Sequence, residues 1–505
     1  MEDSPQPTKS GLNGRLLFAI AVAAVGSSFQ HGYNTGVVNA PQKVIEAFIR
    51  DVLASRKGES TKPEDISQES VTTVWATAVA IYCVGGMLGG ALVGLTAKTL
   101  GPKGGLFWNN LFVFIGALLQ GFSKSALSYE LIVIGRFIIG INSGLNAGLA
   151  PMYLTEISPV NLRGAVGSTY QLVLTISILI SQIMGLSSVM GTADLWPILL
   201  IVCVLPAVFM VLGLPFCPES PKYLLTQKSK DEKAQKALTW FRGTTEVQDE
   251  MEEMRVEKEQ IKHMPKVTMK EMLVNRSLRI PLMIAVVIML GQQFSGINAV
   301  IFYSTDIFKS ANLSDSDAQL ATLLMGVVNV MMTVVSLVLV EKAGRKTLLL
   351  IGFGGMVIDT SLLTVGLFCV KQYNYVWVSY LCIAFVLFFV IMFAVGPGSI
   401  PWFLVNELFN QSARPMACSI AVTTNWTANF FVGMGFPFLK IIVAEFCMVI
   451  FVIFQFLTVL FICIVVPETK QRPIAEIVAL FSKQTPDTPS PDQPPETDNP
   501  AAPSE

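Results

Sequence analysis

One passage of this chain is written twice. Pro151-Met-Tyr-Leu-Thr-Glu156 leads to Arg163-Gly-Ala165, and Pro401-Trp-Phe-Leu-Val-Asn-Glu407 leads to Arg414-Pro415. Each copy runs seven residues from Glu to Arg, and 251 residues separate the two. Gly101-Pro-Lys103 and Gly344-Arg-Lys346 lie 243 residues apart, and Pro218-Glu-Ser220 and Pro467-Glu-Thr469 lie 249 apart. A period that long is no solenoid unit. It is half the chain, so the fold must be built from two copies of one architecture. Composition names the medium: 52% of residues are hydrophobic and 14% charged, with mean hydropathy +0.57. An ordinary soluble domain carries about 25% charged residues.

Apolar stretches long enough to cross a bilayer occur six times in the first half, at about 16–38, 74–95, 105–123, 130–152, 166–188 and 195–215. Six more follow at about 281–306, 318–340, 347–370, 376–405, 415–438 and 446–466. Unpaired apolar segments of this length satisfy their backbone in lipid by becoming helices. The expected fold class is therefore an all-α membrane protein of twelve transmembrane helices in two pseudo-symmetric six-helix bundles. The expected division is a leader at 1–15, an N-terminal bundle at 16–215, a linker with surface helices at 216–278, a C-terminal bundle at 279–466 and a tail at 467–505, disordered from about 484. The first span follows a polar leader without a small-residue cleavage site and is expected to be retained.

With both termini placed in the cytoplasm, 25 Lys/Arg fall on the cytoplasmic side, nine in the outer loops, and Arg136 within span four. That asymmetry follows the positive-inside rule and predicts a multi-pass protein with cytoplasmic termini; the plasma membrane is the expected location. No basic block suggests nucleic acid. The eight cysteines lie in or beside spans, the two histidines are His31 and His263, and no Cys/His spacing suits a metal. Walker A and HExxH motifs are absent, and no nucleophile–base set suggests an enzyme. No cofactor, metal or obligate protein partner is expected; the bilayer and a small molecule are.

The small molecule is suggested by polar residues within the spans. Gln171 is in span five, Gln292-Gln293-Phe-Ser-Gly-Ile-Asn298 in span seven, Asn329 in span eight, and Asn425-Trp-Thr-Ala-Asn429 in span eleven. Amides are costly in hydrocarbon unless they face a cavity or each other, and each both donates and accepts, as sugar hydroxyls require. Glue between helices is the competing use. A straight helix would set Gln293 and Asn298 about 140° apart, so facing one cavity predicts a break near Ser295-Gly296, as transporters place at their sites. Span ten is interrupted by Gly396-Pro397-Gly-Ser-Ile-Pro401 ahead of Trp402. Proline within a helix kinks it, which predicts a hinge, and an indole offers a face to a sugar's C–H groups.

Gln292-Gln-Phe-Ser-Gly-Ile-Asn-Ala-Val-Ile-Phe-Tyr-Ser-Thr305, Pro218-Glu-Ser-Pro-Lys-Tyr223, Gly396-Pro-Gly-Ser-Ile-Pro-Trp402 and Pro467-Glu-Thr-Lys470 resemble the facilitative glucose transporters. These form part of the sugar porter branch of the major facilitator superfamily. The resemblance runs from about Gly14 to Phe481 and takes in Gly32-Tyr-Asn-Thr-Gly-Val-Val-Asn-Ala-Pro-Gln42. It implies two six-helix bundles alternating access to a central hexose site. Gln171, Gln292, Gln293, Asn298, Asn329 and Trp402 would touch the sugar; Tyr303 would stand at the outer gate, with Gly396, Pro397 and Pro401 as gate hinge. A cytoplasmic charge network would include Glu156, Arg163, Glu219, Glu341, Arg345, Glu407, Arg414 and Glu468.

The chain departs from the family at several places. Ala394 stands where glucose transporters usually carry Glu, Met289-Leu-Gly291 where glucose-selective members often carry Gln-Leu-Ser, Pro102 where a loop arginine is usual, and His31 where an aromatic is usual. Asn34 stands where proton-linked members carry Asp, and an amide has no titratable proton; it is expected to hydrogen-bond Arg136. Asp359, mid-span, is expected to hydrogen-bond a neighbouring helix. The implied function is facilitative hexose uniport, with D-glucose first. The alternatives are a broader carrier that also takes fructose or galactose, a proton–sugar symporter, and a sugar receptor that moves nothing.

Overall fold

The structure, a computed structural model, describes residues 11–58, 62–262, 267–410, 412–470, 476–477 and 480–481. Among these the regular structure is helical throughout. Spans one to five are Gly14–Gly36, Gln68–Thr99, Pro102–Phe122, Glu130–Ile157 and Arg163–Met184. Span six is split into Trp196–Ile201 and Val204–Gly213. Span seven is split into Arg276–Phe294 and Ile297–Ser310, and spans eight and nine are Asp315–Ala343 and Arg345–Tyr373. Span ten is split into Val376–Val395 and Ile400–Leu408; Arg414–Val443 and Val449–Val465 complete the set. Among the described residues, 11 helices are long and apolar enough to cross a membrane. The remaining span, Arg414–Val443, is a 30-residue helix whose side chains are described in part. The expected disordered tail from 484 lies outside the described residues.

Span three shows what lipid does to side-chain placement. Trp108, Leu111, Ile115, Leu118 and Phe122, spaced by three and four, are exposed, while Asn109, Asn110 and Gln120 are buried. The stripe is inverted relative to a soluble helix because hydrocarbon is the outer solvent. With no hydrophobic force to drive helices together, close backbone approach does so. A Cβ on Gly140 would lie 2.1 Å from the Tyr82 carbonyl oxygen, and one on Gly144 2.2 Å from that of Gly86. Amides then bond the first bundle across spans one, three and four. Gln30 donates to Asn110 at 2.8 Å, Asn109 to Asn146 at 2.9 Å, and Asn146 to the Ser27 carbonyl at 3.3 Å. Here helix–helix glue is the whole use of the amides.

The bundles meet mainly through span two against eleven and span five against eight. Toward the inner ends, Ser419 donates to the carbonyls of Gly90 and Ala91 at 2.9 and 2.8 Å. Toward the outer ends, Asn39 donates to the Ile301 carbonyl and to Ser304, both at 3.0 Å. The halves thus touch on both sides of the midplane.

Residues 40–72, between the first two spans, contain the helix Gln42–Lys57. Its Ile45, Phe48, Ile49 and Val52 form an i, i+3, i+4, i+7 stripe that is buried, with the Phe48 ring tilted against Trp196 at 5.2 Å. On the other side the connection carries Pro221–Thr226, Asp231–Arg242, Gln248–Lys262 and Met269–Val274. Arg242 ties it to the first bundle by donating to the Ile157 carbonyl at 2.7 Å.

Candidate functional site

Two backbone breaks make the centre of the molecule. Span seven ends at Phe294, and Gly296 takes φ +95°, a conformation that costs an L side chain about 1 kcal/mol or more. Ile297 then begins a new helix, so the amides before and after the break turn toward one another: Asn298 donates to Gln293 Oε1. The break leaves the Ser295 carbonyl to Gln455, which donates to it at 2.8 Å from span twelve.

Span ten breaks at Gly396–Ser399. A Cβ on Gly396 would lie 2.4 Å from the Leu348 carbonyl oxygen, so span nine presses directly on the break. Carbonyls freed there need donors. Gln292 Nε2 supplies one to Pro397 at 2.8 Å and to Gly398 at 3.1 Å, and Ser336 supplies one to Val395 at 3.1 Å. Gln292 therefore has a structural duty that sequence reasoning did not assign to it. Its carbonyl oxygen accepts from Asn425 at 2.8 Å, and Gln293 donates to Asn425 Oδ1 at 3.0 Å. Asn425, singled out in the sequence but left out of the implied contact set, is the residue that links the two glutamines.

Next to Asn425, Trp426 begins a chain of rings. Its indole lies 5.1 Å from His31 and 5.3 Å from Tyr82. His31 is edge-on to Trp402 at 6.4 Å, and Tyr170, adjacent to Gln171, is 6.2 Å from Trp402. Rings and amides from spans one, two, five, seven, ten and eleven thus converge where the halves meet. Gln171, Gln293, Asn298, Asn329 and Trp402 are all between 5% and 8% exposed: nearly sealed, yet in contact with open space. Gln171 makes no side-chain hydrogen bond among the described residues, and the Asn329 Oδ1 has no partner. The Tyr303 side chain lies outside the described residues.

Two expectations need correcting. Arg136 bonds Asn34 through its backbone: Nη1 donates to the Asn34 carbonyl at 2.7 Å, while the Asn34 amide donates to Gln30 at 2.8 Å. The guanidinium sits 4.3 Å over the Tyr82 ring. Asp359 has no hydrogen-bond partner on either oxygen among the described residues.

The residues of the expected charge network repeat across the halves. Glu219 accepts from the backbone N–H of Lys103 and Gly104 at 2.9 and 3.1 Å; Glu468 accepts from Arg345 and Lys346 at 2.8 and 3.0 Å. Each carboxylate caps the start of a span, where orphan donors and the helix dipole favour negative charge. Burial pushes the Glu219 carboxyl above its ordinary range, against the pull of those backbone donors. Ser220 donates to Glu156, and Thr469 to Glu407 at 2.7 Å. Arg163 lies within electrostatic reach of Arg414, Glu407, Glu257 and Glu250. The Glu341 side chain lies outside the described residues. Among the described residues, no three His, Cys, Asp or Glu gather as metal ligands.

The sequence matches the sugar (and other) transporter family over residues 19–481. It is 44% identical over 485 residues to the facilitated glucose transporter member 1 of Gallus gallus, covering 95% of this chain and 97% of that one. It is 43% identical over 481 residues to member 4 of Mus musculus, covering 95% and 93%. Among solved structures, the proton:xylose symporter XylE bound to 6-bromo-6-deoxy-D-glucose superposes with TM-score 0.80 at 26% identity, covering 93% of this chain and 100% of that one. The inward-open conformation of XylE from E. coli gives TM-score 0.69 at 26% identity, covering 92% and 99%.

Proposed function

The chain belongs to the sugar (and other) transporter family, and from that premise we propose that it is a facilitative hexose carrier, D-glucose first, working by alternating access. What supports this is the bonded cluster of Gln292, Gln293, Asn298 and Asn425 beside the rings of Trp402 and Trp426 where the halves meet; Gln171 and Asn329, buried amides of spans five and eight, complete the proposed contact set. Amides offer donors and acceptors to hydroxyls, and the indole offers a face to the apolar side of a pyranose. The breaks at Ser295-Gly296 and at Gly396–Pro401 let the flanking helix pieces move while the site stays at the midplane. Residues 16–215 and 279–466 act as the two moving bundles, linked by 216–278. The carrier makes and breaks no bond and needs no cofactor. Ala394 leaves the site one carboxylate short, so fructose or galactose is a candidate second substrate.

A proton-coupled mode is disfavoured by the Arg136 site. A carboxylate there could bind and release a proton, but Asn34 cannot, and among the described residues no Asp or Glu acts on Arg136. Uptake should equilibrate sugar and never concentrate it. The test is counterflow and net uptake of labelled glucose, fructose and galactose in proteoliposomes with an inward proton gradient. Accumulation above the external level that collapses with a protonophore would overturn uniport; binding without counterflow would mean a receptor. The proposed location is the plasma membrane, with both termini and residues 216–278 in the cytoplasm, an orientation supported by the Lys/Arg asymmetry. Labelling of a cysteine at position 250 from outside intact cells would contradict that orientation.

A further inference from the structure

The short helix Met269–Val274 and the start of span seven turn one continuous surface outward. In the short helix Met272 is buried and Glu271 half-buried, while Met269, Leu273 and Val274 are between 48% and 68% exposed. At about 100° per residue, Lys270 falls between Leu273 and Val274, about 60° from one and 40° from the other. A lysine in the middle of an exposed apolar face suits the boundary of a bilayer. Its stem lies there among apolar groups while the ammonium reaches the headgroups.

Local bonds fix the helix in place. Thr268 Oγ1 accepts from the Glu271 N–H at 3.3 Å, and the Thr268 N–H donates to the Glu271 carboxylate at 2.7 Å. Asn275 caps span seven by accepting from the Ser277 N–H at 3.1 Å, and the short helix packs on the span it precedes. That span opens with Arg276 and Arg279, both exposed and one turn apart. Met283 is exposed one turn further on, and Val287 and Leu290, half-buried, continue that side. Ile284, Ala285 and Ile288 are buried on the opposite side. The outward apolar stripe of a span faces lipid, and this one begins in two arginines. The side chains of Lys270, Arg276 and Arg279 make no hydrogen bond or ion pair among the described residues. Glu271, the one acid from Val267 to Ile280, is taken up by its cap.

We propose that this surface binds an anionic phospholipid of the leaflet beside residues 216–278. Lys270, Arg276 and Arg279 hold the phosphate and the acidic headgroup, an acyl chain lies along Met283 and Leu290, and Met269, Leu273 and Val274 sit in the interface. Guanidinium groups pair with phosphate through two N–H bonds. Continuity of the cations with the lipid-facing stripe favours a lipid over a soluble protein. The bound lipid braces the base of the helix that carries Gln292, Gln293 and the break at Ser295-Gly296. The site needs no sugar, so it stands or falls apart from the carrier reading.

The test uses the full chain in micelles of neutral detergent, with lipid retention read by native mass spectrometry and stability by thermal unfolding. Dioleoylphosphatidylglycerol should bind and raise the unfolding midpoint; dioleoylphosphatidylcholine at the same concentration should do neither. Lys270→Gln, Arg276→Gln and Arg279→Gln should each weaken phosphatidylglycerol binding about fivefold, the share of one basic residue beside an acidic membrane. All three side chains are exposed, and each variant gives a reading should another fail to fold. Glycerol phosphate, a head without chains, should not compete at equal concentration. Lys233→Gln combined with Lys236→Gln removes charge from exposed positions of Asp231–Arg242 and should leave binding unchanged. An equal loss in that control would mean diffuse attraction to charge and overturn the site. So would equal retention of the two lipids by native protein, and competition by glycerol phosphate would reduce it to a pocket for soluble anions.

Discussion

Arg345 holds Glu407 by two bonds, Nη2 to Oε1 at 2.9 Å and Nε to Oε2 at 3.3 Å, while at the matching place in the first half Pro102 has no charge to offer. The chain is duplicated, but this arginine is not. Glu156 keeps the hydroxyl bond from Ser220 that Glu407 has from Thr469.

The Arg345–Glu407 pair is little exposed, at 5% and 16% of side-chain surface, so removing one partner strands a charge. Breaking such a buried pair costs about 3–5 kcal/mol. Arg345→Ala should therefore loosen the inner side. In a variant with Cys418 as its sole cysteine, labelling of that buried thiol from the cytoplasmic face should quicken at least roughly tenfold. Arg345→Lys should restore little, because an ammonium cannot make the paired bonds. An unchanged labelling rate would mean that the pair does not keep the inner side shut.

Glu219 and Glu468 should carry equal weight as caps. Replacing either by Ala removes two acceptors from a span's first turn, at about 0.5–2 kcal/mol each. Gly344→Ala should cost more than either, since φ is +91° and the new Cβ would lie 2.6 Å from Glu468 Oε2. Thermal unfolding in detergent ranks the three; an alanine at 344 that leaves the midpoint unmoved would contradict the geometry.

Gln293→Leu should strand both Asn298 and Asn425, and Trp402→Ala should remove the indole face. Each is expected to weaken hexose affinity by about 1–3 kcal/mol, roughly tenfold or more, while insertion persists. Equilibrium exchange at graded sugar concentrations gives the affinities. Native values in both variants would place the site elsewhere.

Lys222 donates to Glu257 at 2.9 Å in the connection between the two halves. Burial pushes the Glu257 carboxyl up, but the charge and bond of Lys222, with Arg414 and Arg163 beyond, hold it below its ordinary 4.5. A carboxyl depressed in the folded state stabilises fully above its ordinary value and loses that contribution as pH falls through the depressed one. Acidification from neutrality to below 4.5 should therefore weaken the packing of Gln248–Lys262. Glu257→Gln should be less stable than native protein at pH 7 and show a smaller further loss in acid. Parallel pH profiles for the two proteins, by hydrogen exchange in this helix, would count against the pairing.

Much of the architecture was legible along the chain. Span three is recognisable from its apolar run alone, and the Glu-to-Arg repeat announces the second bundle. The breaks were legible too, because Gly396-Pro397 and Ser295-Gly296 are local backbone chemistry. The helix Gln42–Lys57 carried a readable stripe at Ile45, Phe48, Ile49 and Val52, obscured by the mixed charge around it.

Partners were not legible. Transfer into lipid is decided residue by residue, so hydropathy adds up along the sequence and the spans follow from it. Which amide meets which carbonyl depends on the faces that two distant helices turn toward each other. Only the packed structure decided that Gln292 serves the carbonyls of Pro397 and Gly398, that Asn425 joins Gln292 to Gln293, and that Arg136 bonds the backbone of Asn34 in place of its side chain. His31 stands among Tyr170, Trp402 and Trp426 for the same reason. Its partners lie on three other helices, and no pattern along span one encodes where those helices come to rest.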